Sequence, residues 1–166
     1  MNITLLLSKI GLSSNLSQDV MLVLFVALVS FVFGMVLGKH KLMSVLVNIY
    51  VSFAVMSVVP KEMFSQTDYK VFAFLILLAV LTVLSRKIFD ISFSSGGSAF
   101  MWRVFVVSFL QVALILSIVL SLVSKKEALA YVSSSAYEYL VIGWAPLFWM
   151  LIPLVCMFLL YRKNKY

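Results

Sequence analysis

The chain has 166 residues, of which 64% are apolar and only 11% charged, and its mean hydropathy is +1.14. A soluble domain carries about 25% charged residues, so lipid must cover much of this surface, and a water-soluble fold is excluded. The formal net charge is +7, but the basic residues form no stripe interleaved with aromatics, so nucleic acid is not an expected partner.

The apolar runs are long and continuous, unlike the alternating strands of a barrel. They predict a single all-α domain, a polytopic membrane helical bundle with spans near 20–38, 42–60, 71–89, 99–123 and 139–161. About 20 apolar residues suffice to cross the hydrocarbon core. Residues 1–18 are shorter and less apolar; Ile3, Leu6, Leu7 and Ile10 have the spacing of a short interfacial helix. A cleaved signal peptide is not expected, because the long run starts only at Val20 and no A-x-A-like site follows it. Asn15, Ser17 and Asp19 are suited to starting the first span. Between the first two runs, "VLGKHKLM" places Lys39, His40 and Lys41 together, read as the tight turn of a helical hairpin. Pro60 closes the second run and "SSGGS" separates the third from the fourth. The fifth contains Pro146 and Pro153. Either it is one kinked helix, or it begins near Pro146 with the preceding stretch at the interface.

Orientation follows from the loops. Residues 1–19, 61–70 and 124–138 carry five basic and five acidic side chains. The opposite side carries Lys39, Lys41, Arg86, Lys87, Arg103, Arg162, Lys163 and Lys165 against Asp90 alone. That side is expected to be cytoplasmic, N-terminus out and C-terminus in, with these eight residues meeting an anionic inner leaflet. Phe89, Phe93, Phe100 and Trp102 accompany them, and Tyr131, Tyr137, Tyr139 and Trp144 suit the outer aromatic belt.

Chemistry is sparse. One histidine and one cysteine, Cys156, do not make a metal site, and no cofactor motif occurs. All six acidic residues lie at span ends or in loops, so neither an enzyme nor carboxylate-coupled transport is expected. The spans carry a packing pattern instead. Ser30, Gly34 and Gly38 recur every four residues, as do Ser44, Asn48 and Ser52. The first set forms a groove that admits a neighbouring backbone, and the second a polar stripe. Groove and stripe are expected to face each other, Gly38 near Ser44 and Ser30 near Ser52. Gln111, with Ser108 one turn earlier, is expected to bond a neighbouring helix.

The stretch "FGMVLGKHKLMSVLVNIY", with "SGGSAFMWRVFVVSFLQVALIL" further on, resembles the colicin V production protein family of bacterial inner-membrane proteins over roughly residues 20–123. It departs from that family in Gly38-Lys39-His40 after the first span and in an added fifth span. The whole chain also resembles uncharacterised multi-pass membrane proteins of candidate-phyla bacteria, and its "YRKNKY" tail resembles the basic tails of phage holins. The family supplies no catalytic residues. The resemblance implies a bacterial inner-membrane scaffold or accessory subunit of envelope or secretion physiology, acting through lipid, a homo-oligomer or other membrane proteins. The alternative is a small oligomeric channel or transporter, or a holin-like pore.

Overall fold

The computed structural model describes residues 14–60, 64, 67–85 and 98–163. Its helices are α1 (Ser14–Val58), α2 (Thr67–Ser85), α3 (Ser98–Leu122), α4 (Lys125–Tyr131), α5 (Ser134–Val141) and α6 (Ala145–Lys163), and no strand occurs among the described residues. The expected interfacial helix over 1–18 lies outside them, apart from the start of α1.

The 45 residues of α1 would form a straight rod about 68 Å long. The contacts forbid that rod. Leu22 packs on the cluster holding Leu120 and Leu140, whereas Ile49 shares a cluster with Leu114 and Ile118 of the same α3. In a straight helix Leu22 and Ile49 would be about 40 Å apart. The Tyr50 hydroxyl donates to the Met150 carbonyl, and the adjacent Trp149 lines a crevice with Asp19 and Leu22. The chain therefore doubles back between Val36 and Lys41. Its two arms are Gln18–Val36 and Lys41–Val58, and helical turns continue where a loop was expected.

Both arms lie on α3, in opposite senses. The first runs against it: Gly34 abuts Val104 and Ser108, and Val26 lines a crevice with Ala113. The second runs along it: Gln111 bonds the Leu42 carbonyl, Leu46 clusters with Leu114 and Ile49 with Ile118. The helix α2 returns beside the second arm, with Ser85 at Asn48 and Phe74 in the cluster of Ile49. In α6, Met150 meets Tyr50 and Met157 joins Val45 and Leu46, so its C-terminus points toward the reversal. Lys39, Lys41, Arg103, Arg162 and Lys163 consequently belong to the reversal end; Arg86, Lys87 and Lys165 fall outside the described residues.

Gln18–Val36, Lys41–Val58 and Trp102–Leu122 are long and apolar enough to cross a membrane. Of the expected third span, 71–89, the described part lies in the apolar helix Tyr69–Ser85, about 25 Å long, and 86–89 lie outside the described residues. The expected fifth span, 139–161, is broken. The helices α5 and α6 meet at 61°, and only as one bent pair do they make a fourth crossing. Gly143 sits in the break with φ +65°, a backbone region that costs an L side chain roughly 1–2 kcal/mol. The second helix starts at Ala145 with Pro146 in its first turn, where a missing N–H leaves nothing unbonded. Pro153 lies inside α6 and removes one of its i→i−4 bonds.

Residues 124–138, expected as a loop, are largely helical. Ser124 and Glu127 cap α4 reciprocally, each side chain accepting from the other's backbone N–H. Ser133 caps α5 by accepting from the Ala136 N–H at 3.0 Å. Leu120, Ala128, Val132, Ala136, Tyr137 and Leu140 then close that end of the bundle.

Candidate functional site: a buried polar seam

The helical repeat turns Ser44, Asn48 and Ser52 to one face of the second arm, and all three are buried. Ser30, Ser108, Gln111 and Ser117 are buried as well. None of these side chains is an acid or a base, so the seam can only donate and accept neutral hydrogen bonds.

Most of that capacity is used internally. Gln111 donates from Nε2 to the Leu42 carbonyl at 2.6 Å, joining α3 to the first turn of the second arm. Asn48 donates from Nδ2 to Ser85 Oγ at 2.8 Å, and Ser85 donates onward to the Thr82 carbonyl at 3.2 Å. Ser30 donates to the Val26 carbonyl within its own helix. Ser117 donates to the Leu140 carbonyl at 2.6 Å, fastening α5 to α3. Left over are Ser52 Oγ, Ser108 Oγ and Gln111 Oε1, which are buried and have no partner. A buried polar atom without a partner costs about 1–3 kcal/mol.

Gly34 meets a different neighbour from the expected one. A Cβ built on Gly34 would lie 2.8 Å from Ser108 Oγ and 3.4 Å from Val104 Cγ1. The helix that approaches Gly34 is therefore α3, and the expected apposition of this glycine to the Ser44/Asn48/Ser52 stripe is corrected. A four-residue repeat tells which residues share a face, not which helix will cover it. The surroundings of Gly38, Lys39 and His40 lie outside the described side chains. Sequence reasoning also missed Ser85. It lies inside the expected third span, beside Arg86 and Lys87, and belongs to no repeat of small or polar residues that would mark it as a contact.

The outer faces are of the opposite character. Phe25, Met35 and Val36 on the first arm are 66%, 70% and 75% exposed, and Ile76 and Val83 on α2 are exposed too. Tyr131, Tyr139 and Trp144 project at the end opposite the reversal, and Trp102 near the reversal. Among the described residues no group of three His, Cys, Asp or Glu side chains converges. No family model, no curated protein and no solved structure matches this chain.

Proposed function

We propose that the chain is a five-pass protein of the bacterial inner membrane, N-terminus out and C-terminus in, which works as a non-enzymatic scaffold or accessory subunit through lipid and protein contacts. The observation carrying this reading is the inversion of polarity. Neutral polar side chains turn inward and are mostly paired, while bulky apolar side chains turn outward. In water that arrangement would be unfavourable by about 25 cal/mol for each Å² of exposed apolar surface; in lipid it has no such cost. The basic residues gathered at the reversal end support the orientation. An envelope or secretion role rests on the resemblance of residues 20–123 to the colicin V production proteins.

Single cysteines in a Cys156→Ser background test the topology. Those at Thr67 and Ser134 are expected to react with an impermeant maleimide on intact cells, and those at Ser95 and Asn164 only after permeabilisation. Labelling at Ser95 with protection at Thr67 would reverse the orientation; labelling of all four would exclude five passes.

The unpartnered Ser52 Oγ, Ser108 Oγ and Gln111 Oε1 favour a second reading, a small channel or holin-like pore in which a polar solute or water meets these atoms. Flux through purified protein in vesicles separates the two. The scaffold reading expects none. Saturable flux abolished by Asn48→Leu with Gln111→Leu would promote the pore.

A further inference from the structure

A crevice of about 300 Å³ opens at the end of the bundle opposite the reversal, between the first arm, α3, α5 and α6. It is wedged among Val23, Val26, Ala113, Tyr139 and Trp149, and the only ionisable carboxylate on its wall is Asp19. Val23 and Tyr139 are exposed, so its mouth faces outward. The Ser133 hydroxyl donates to Asp19 Oδ1 while capping α5, which ties the carboxylate to the rim. Asp19 sits one residue inside the apolar stretch Gln18–Val36, at the level of a membrane interface. From Asp19 to Val26 the wall descends about 10 Å.

The dimensions suit a hydrocarbon tail. Its volume is at the lower bound of ligand pockets, and its depth of about 10 Å admits the part of one acyl chain nearest the headgroup. The charge selects the head. A carboxylate at the mouth attracts an ammonium and repels a net negative headgroup at a separation where screening by water is incomplete. Resting on the membrane reading above, we propose that this crevice binds one acyl chain of an aminophospholipid from the leaflet at the N-terminal end, with the primary ammonium held by Asp19. This leaflet-specific site is separate from the basic reversal end, whose charge suits anionic lipid.

Trp149 on the crevice wall supplies the readout. Trp102 and Trp144 are exposed and can be changed to Phe to leave one fluorophore. The protein is placed in vesicles of equal phosphatidylethanolamine and phosphatidylglycerol, with brominated acyl chains on one lipid or the other. Trp149 is expected to be quenched at least twofold more when phosphatidylethanolamine carries the bromine. Asp19→Asn should bring that ratio to about one, and Val23→Phe, which fills the crevice without adding an indole, should lower quenching from the favoured lipid. Equal quenching by the two lipids in the Asp19 protein, or a preference for phosphatidylglycerol, overturns the site while leaving the membrane reading intact. Failure of the protein to float with the vesicles overturns the membrane reading, and the site with it.

Discussion

Placing a methyl group on Gly34 probes a close approach between the first arm and α3. The new Cβ would be 2.8 Å from Ser108 Oγ, inside van der Waals contact, and 3.5 Å from Ser108 Cβ, which is ordinary contact. The clash is thus with one hydroxyl and not with the α3 backbone. Two terms of opposite sign follow. Alanine is better than glycine inside a helix by about 0.8–1.0 kcal/mol, and overpacking a close contact costs about 1–3 kcal/mol. Gly34→Ala alone should therefore destabilise by about 0–2 kcal/mol. Ser108→Ala alone removes a buried hydroxyl that has no partner, and is expected to be neutral or stabilising. In the double variant the clash is gone, and the helix preference remains. Gly34→Ala should then stabilise the Ser108→Ala protein, giving a coupling of at least about 1 kcal/mol. Reversible unfolding in mixed micelles, run as a double-mutant cycle, measures it. Effects that add within about 0.5 kcal/mol, the range for independent sites, would refute the contact and the antiparallel placement of the first arm on α3.

Asn48→Leu should destabilise by about 0.6–2 kcal/mol, typical of interhelical hydrogen bonds in lipid, and hydrogen exchange should rise at Thr82–Ser85, since Ser85 accepts from Asn48. Gly143→Ala should cost about 1–2 kcal/mol by the same unfolding assay, because φ there is +65° with open space around it, and Gly143→Asn should cost less. Ser117→Ala should free α5 from α3 by removing the bond to the Leu140 carbonyl; faster proteolysis within 134–141, with the rest of the bundle protected, is the expected result.

Helix type was legible in the sequence because runs such as Leu42–Ser57 and Val104–Leu122 are too long and apolar to be anything else in a chain this size. The reversal near Lys39 was legible too, since a basic group between two apolar runs has nowhere to go but an aqueous edge. The short helices α4 and α5 carried a readable signal that composition obscured: Ser124 with Glu127 three residues later, and Ser133, are cap residues in a stretch too polar to span. The break in the last span was half-visible in Pro146; the turn itself depends on Gly143, whose φ no sequence displays. Partner choice was the hidden part. Gly34, Asn48 and Gln111 were identifiable as contact residues by type, but Ser108, Ser85 and the Leu42 carbonyl were selected by how the arms lie on α3.

The bond from Gln111 to the Leu42 carbonyl joins residues 69 positions apart, and that distance has a meaning in time. During synthesis at roughly 5–20 residues per second, the hairpin of α1, which ends at Val58, is complete about 3–11 s before Gln111 is made. Throughout that interval Gly34 has no covering helix, and neither arm has α3 to lie against. The newborn hairpin is a half-finished surface that invites other helices, including the hairpin of a neighbouring nascent copy. Whatever shields it until α3 arrives therefore governs the yield of correctly assembled protein as much as the final stability does.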